Sequence, residues 1–199
     1  MPIEVDEEKA IISCQRGRLA DFGYLYDLYA KKIYSFIYCK TFHKQDAEDL
    51  TAETFLKALD KIKKFDLQKG NFSSWLYQIA RNNVVDHYRQ KKSYFPVDDA
   101  WDIKDNSDIE KDVNLKEKIE KVKQYLEALS AEQREIIVLR VWQDLPYKEI
   151  AEITGKSEPA VKMAFSRAIK TLQKEMSLCL LLILFFPVLD SVERTLKVI

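Results

Sequence analysis

The sequence predicts an all-α protein made of two helical domains joined by a flexible acidic linker. Three observations carry that prediction. Apolar residues recur at three- and four-residue spacing along most of the chain. Only 4 Gly and 5 Pro occur in 199 residues, too few for a many-turned β fold. Near the middle lies an acidic stretch too poor in apolar residues to offset the entropy of ordering it.

The elements follow in order. Between residues 22 and 42, Phe22, Leu25, Tyr26, Tyr29, Ile33, Phe36, Ile37 and Cys39 mark the buried face of a first helix. A second is expected over residues 46–62, where Leu50, Thr54, Ala58 and Ile62 stand four apart and Phe55 and Leu59 widen the stripe. Gly70 and Asn71 help break the pattern at residues 65–71. A third helix is expected over residues 72–92, with Ser73 or Ser74 available to cap it. Acidic residues at 98, 99, 102, 105, 108, 110 and 112 then face only Lys104 and Lys111. The expected division is a first domain at 8–93, a linker at 94–112, a second domain at 113–176 and an apolar extension at 177–199. In the second domain one helix carries Ile119, Val122, Tyr125, Leu126 and Leu129, and others are expected at 131–143, 147–153 and 158–176.

Lys plus Arg equals Asp plus Glu at 32 each, so only the distribution of charge can point to a partner. Cys14, Cys39 and Cys179 form no C-x-x-C pair, which argues against a disulfide framework or a zinc site and fits a reducing cytosol. The acidic N-terminus lacks the layout of a signal peptide, so a cytoplasmic protein is expected. There is no Gly-rich phosphate loop, no nucleophile beside a base and no carboxylate pair spaced for acid–base work. His87 reads as structural, and His43 is too distant in sequence to suggest a ligand cluster. No catalytic residue, metal or cofactor is expected.

Residues 146–174 read as a helix-turn-helix. Ile150, Ala151 and Ile153 face inward, and Gly155 can take a positive φ in the turn. Ser157 caps the next helix and Pro159 sits harmlessly in its first turn. Val161, Phe165, Ala168, Ile169 and Leu172 would be buried, which leaves Lys162, Ser166, Arg167, Lys170 and Lys174 outside. Such a helix suits the major groove, with its cations on phosphates. The alternative is a plain helical hairpin with a solvated lysine face.

The 72–92 helix combines Phe72, Trp75 and Tyr77 with Arg81, Arg89, Lys91 and Lys92. Aromatics beside cations can stack unpaired bases while neutralising backbone charge. Leu76, Ile79 and Val84 are expected to pack inward, and Trp75 could serve either the core or DNA.

Together these segments resemble the sigma factors of bacterial RNA polymerase, in the compact two-domain extracytoplasmic-function layout. D-A-E-D-L-T-A-E-T-F-L-K-A (46–58) is similar to the family segment that binds the clamp coiled-coil of the polymerase β′ subunit. G-N-F-S-S-W-L-Y-Q-I-A-R-N-N-V-V-D-H-Y-R (70–89) is similar to the segment that melts and reads the −10 element. L-S-A-E-Q-R-E-I-I-V-L-R (129–140), with Tyr147 to Ala151 and Ser157 to Lys162, resembles the −35-reading helix-turn-helix.

The resemblance implies a DNA-binding initiation subunit that is not an enzyme. It places Asp46, Glu48, Asp49, Glu53 and Phe55 at the polymerase contact. Lys69, Asn71, Phe72, Trp75, Asn82, Asn83, Asp86 and Arg89 fall at the −10 strand, and Ser157, Lys162, Ser166, Arg167 and Lys170 at the −35 duplex. The implied partners are core polymerase (β′ clamp coiled-coil and β flap), promoter DNA and an anti-sigma factor. Three departures stand out: Ala52 replaces a common Gln, and Met163 and Ala164 replace a common Ser/Thr and Arg, the last removing a candidate DNA contact.

Leu178 to Leu189 reads L-C-L-L-L-I-L-F-F-P-V-L, too short to span a bilayer and interrupted by Pro187. A helix buried against one domain, a membrane-surface segment and a regulatory contact all fit. Two rival functions are a free-standing dimeric helix-turn-helix regulator and a membrane-tethered protein that binds only proteins. The first would bind DNA tightly without polymerase, and the second would fractionate with membranes and lack DNA affinity.

Overall fold

The computed structural model describes residues 7–94, 122 and 124–175. The expected linker beyond Tyr94, residues 178–189 and Cys179 lie outside the described residues. The chain divides into two units at residues 104 and 105, inside the acidic segment, and every regular element among the described residues is helical.

In the first unit, α1 (Glu7–Gln15), α2 (Phe22–Thr41), α3 (Lys44–Lys61) and α4 (Phe72–Tyr94) are joined by short connections. α2 buries Phe22, Leu25, Tyr29, Ile33, Phe36 and Ile37, and α3 buries Ala47, Leu50, Thr54, Phe55 and Ala58. Those three- and four-residue steps let α2, α3 and α4 pack against one another. α2 ends at Phe42, whose left-handed backbone (φ 49) lets its N–H donate to Tyr38 O at 2.7 Å. Extended His43 then caps α3 directly. Gln15 Nε2 donates to Ile62 O at 3.1 Å and Phe65 O at 2.6 Å, tying the end of α1 to the turn after α3.

α4 starts at Phe72 as expected, but neither serine caps it. Phe72 is drawn into the core and becomes the first helical residue, so Asn71 O accepts from Trp75 N–H at 3.1 Å. Ser73 and Ser74 lie inside the first turn rather than at its cap.

The second unit contains α5 (Ala131–Ile137), α6 (Tyr147–Thr154) and α7 (Glu158–Glu175). Ser130 Oγ accepts from Gln133 N–H at 3.3 Å while Ser130 N–H donates to Gln133 Oε1 at 3.0 Å, a reciprocal capping box. The single helix expected over 131–143 is α-helical only to Ile137 and widens to a π turn from Val138 to Trp142. Buried Arg134 donates to Leu126 O at 2.9 Å and Leu129 O at 3.3 Å, occupying carbonyls where the preceding helix ends. α7 packs on both α5 and α6, and Gly155 (φ 70) turns the chain between α6 and α7 as expected.

Candidate functional site

α7 sorts its residues cleanly. Val161, Ala164, Ala168 and Leu172 are buried, and Phe165 and Ile169 are half-buried. Lys162, Ser166, Arg167, Lys170 and Lys174 are exposed, and no carboxylate interrupts the helix between Pro159 and Lys174. Ser157 Oγ accepts from Ala160 N–H at 3.4 Å, so this exposed residue is also the helix cap. Lys162 Nζ lies 2.6 Å from Glu158 Oε1 and 5.6 Å from the centre of the Tyr147 ring. Of the two departures in α7, Met163 is exposed but Ala164 is only 8% exposed. The missing arginine is thus lost from the packed side of α7.

On α3, Asp49 and Glu53 are exposed and Glu48 is half-buried. Each carboxylate already has a neighbour on its own helix. Glu48 lies 3.7 Å from Lys44 Nζ, Asp49 accepts from Gln45 at 3.1 Å, and Glu53 lies 2.6 Å from Lys57 Nζ. Burial and then the Glu48 charge push the Tyr34 phenol up to about 12.

Two residues expected at that contact have structural partners. Phe55 is 4% exposed, with its ring 4.7 Å from Tyr26 and 6.3 Å from Phe22. Its ring belongs to the core of the first unit. Asp46 is held between two histidines. Its N–H donates to His43 Nδ1 at 3.0 Å and its Oδ2 lies 3.1 Å from His87 Nε2, joining the start of α3 to α4. The sequence separated His43 from His87, whereas the fold brings both to one carboxylate. Even so, no group of three metal-ligating side chains occurs among the described residues.

The expected −10 residues divide by face. Lys69, Asn71, Asn82, Asp86 and Arg89 are exposed. Lys69 pairs with Asp66 at 3.2 Å, and Arg89 with Asp86 at 3.6 Å. The Gln68 N–H, then Lys69, holds the Asp66 carboxyl below its ordinary value. Trp75 is half-buried, 5.0 Å from Phe65 and 5.5 Å from Phe72 between ring centres. Its packing therefore supports the core and still leaves part of the ring accessible.

Phe72 (1% exposed) and Asn83 (3%) do not reach the surface. Phe72 packs against Tyr29 and Phe65, while Asn83 bonds to Thr54 and Lys57 of α3. Tyr77, counted among the stacking aromatics, is buried edge-on against Phe36. Phe72, Asn83 and Tyr77 thus serve the packing of the first unit. Leu76, Ile79 and Val84 are buried as expected.

Sequence reasoning gave no contact role to Arg140, Tyr147 or His87. Arg140 lies 5.2 Å from the Tyr147 ring centre and donates to Leu145 O at 3.2 Å. His43 caps α3 although histidine is not among the usual N-cap residues, so its role had no signal in the sequence. Nothing local in the sequence joins His87 to Asp46.

Two family models match the chain. Residues 25–94 match the family model for sigma-70 region 2, and residues 119–172 match that for sigma-70 region 4. The chain is 35% identical to the ECF RNA polymerase sigma factor BldN of Streptomyces coelicolor over 80% of its own length, spanning 62% of that protein. It is 31% identical to the RNA polymerase sigma factor YlaC of Bacillus subtilis, over 77% of this chain and 90% of YlaC. Among solved structures, it resembles the sigma factor RpoE of Bartonella quintana in complex with the anti-sigma factor NepR, with TM-score 0.63 and 26% identity. That match covers 77% of this chain and 95% of RpoE. With both conserved regions in order and a 31% identical relative matched over nine-tenths of its length, the chain belongs to the sigma-70 family, in its extracytoplasmic-function group.

Proposed function

We propose that this sigma factor joins core RNA polymerase, recognises a two-part promoter and opens it for transcription initiation. The observation that carries the reading is α7, where Lys162, Ser166, Arg167 and Lys170 share an exposed face without an intervening carboxylate. That pattern suits a recognition helix, whose side chains reach base edges while its cations meet phosphates. In the first unit, exposed Lys69, Asn71, Asn82, Asp86 and Arg89, with the accessible part of Trp75, are the proposed −10 surface. Asp49 and Glu53, with half-buried Glu48, are the proposed polymerase contact. Catalysis belongs to the polymerase.

The action is placed in the cytoplasm, where polymerase and chromosome meet. Among the described residues no helix is long and apolar enough to cross a membrane. The complex of RpoE with NepR supports a proposal that an anti-sigma factor also holds this chain. Residues 178–189 remain a candidate regulatory contact that masks DNA or polymerase surfaces. Deleting 177–199 without changing promoter binding or transcription would end that idea.

The polymerase reading is tested by co-elution with bacterial core polymerase. Asp49→Lys and Glu53→Lys should weaken the complex while thermal melting stays unchanged. Co-elution of the double variant at wild-type strength would remove these residues from the contact.

A further inference from the structure

Tyr147 stands at the first residue of α6 with two cations over its ring. Arg140 Cζ lies 5.2 Å from the ring centre and Lys162 Nζ lies 5.6 Å away. Phe165 of α7 meets the same ring edge-on at 5.8 Å and 70°. Arg140 is itself anchored, since its Nη1 donates to Leu145 O and to Asp144 Oδ1, each at 3.2 Å. The ring is therefore braced by Arg140 of the π turn and by Phe165 of α7.

Lys162 has two restraints with opposite consequences. Glu158 Oε1, at 2.6 Å, neutralises the ammonium and would repel a phosphate brought to it. The Tyr147 ring attracts the same ammonium through its negative face and leaves the charge intact. An unrestrained lysine loses considerable rotamer freedom when it binds, and a pose set beforehand lowers that loss.

We propose that Tyr147 is a positioning residue for DNA binding: its ring, braced by Arg140 and Phe165, holds Lys162 where it meets a phosphate of the −35 duplex. Tyr147 thereby couples the two helices of the helix-turn-helix through a cation. The inference rests on the reading of α7 as the −35 helix.

The test uses holoenzyme assembled from core polymerase and the full chain, with a duplex fragment that it selects from a promoter library. Kd is measured across a salt series for Tyr147→Leu, Tyr147→Phe, Lys162→Ala, Arg167→Ala and the Tyr147→Leu/Lys162→Ala double variant. Thermal melts confirm folding, and Tyr147→Phe retains a ring should Tyr147→Leu fail to fold. Tyr147→Leu should weaken binding about two- to fivefold, the size of an exposed cation–π contact, and Tyr147→Phe should bind like the wild type. Lys162→Ala should reduce the salt slope by about one, and adding Tyr147→Leu should cost nothing more.

A Tyr147→Leu loss that persists in full beside Lys162→Ala would overturn the proposal, because the ring would then act independently of the lysine. So would a weakened Tyr147→Phe. Loss with Arg167→Ala but none with Lys162→Ala would overturn it while leaving the −35 reading in place. No loss with either would remove the −35 reading itself.

Discussion

Asn83 Nδ2 donates to Thr54 Oγ1 at 3.0 Å, and Asn83 Oδ1 accepts from Lys57 Nζ at 2.7 Å, so one buried amide joins α4 to α3 twice. Thr54 in turn donates to Leu50 O at 2.7 Å. The helix proposed for the −10 strand and the helix proposed for polymerase therefore share a satisfied polar network. Its next residue back, Asn82, is exposed.

That pair of asparagines separates architecture from recognition. Asn83→Ala strands buried partners and should cost roughly 1–3 kcal/mol of stability. Asn82→Ala should leave the urea midpoint unchanged and weaken binding to single-stranded −10 DNA in holoenzyme. Equal midpoints for the two variants would contradict the assignment.

Phe55 and its acidic neighbours should separate in the same way. Phe55→Ala opens a cavity beside Phe22 and Tyr26 and should cost about 3–5 kcal/mol in thermal or urea unfolding. Asp49→Ala and Glu53→Ala should stay within about 0.5 kcal/mol of the wild type, because surface substitutions seldom exceed that. Their deficit should appear in affinity for core polymerase.

Asp46 should behave as a structural residue. Asp46→Ala removes the bond to His87 and should lower stability by about 1 kcal/mol. His87→Leu should show a similar loss, and the double variant should lose less than the sum. Strict additivity would mean that the two side chains act separately.

Ser130 caps α5 reciprocally with Gln133, so Ser130→Ala should cost about 1 kcal/mol. A chemical melt of the full chain that follows a second-unit tryptophan, Trp142, would report it.

On α7, Lys170→Ala should weaken duplex binding uniformly across sequences and lower the salt slope by about one, as for a lost phosphate contact. A sequence-dependent loss would instead assign Lys170 to a base edge.

The helices were legible because burial imposes its period on the sequence: Leu25, Tyr29, Ile33 and Phe36 are one face of α2, and Val161, Ala168 and Leu172 one face of α7. The helix-turn-helix was legible for the same reason, sharpened by Gly155 and Ser157 at its turn. Motif resemblance, however, marks a segment and not a face. Asn82 and Asn83 are neighbours in the chain but about 100° apart around a 3.6-residue helix, and only the packing of α3 decides which is buried. Phe55, Phe72 and Tyr77 sit in functional segments for the sake of the core beneath them. The Asp46–His87 bond joins residues far apart in the chain, and the π turn at Val138–Trp142 carries no local signature. Neither could be read from periodicity.

The central claim is that this chain directs polymerase to promoters, and transcription in vitro tests it most directly. Purified bacterial core polymerase would be supplied with a promoter library, with and without the full chain. The account predicts start sites that appear only when the chain is present and share two spaced sequence elements. It also predicts that Arg167→Ala reduces their yield without unfolding the protein. Failure to bind core and absence of any chain-dependent transcript, both with the full chain and after removal of residues 177–199, would contradict it and favour a DNA-binding protein that acts without polymerase.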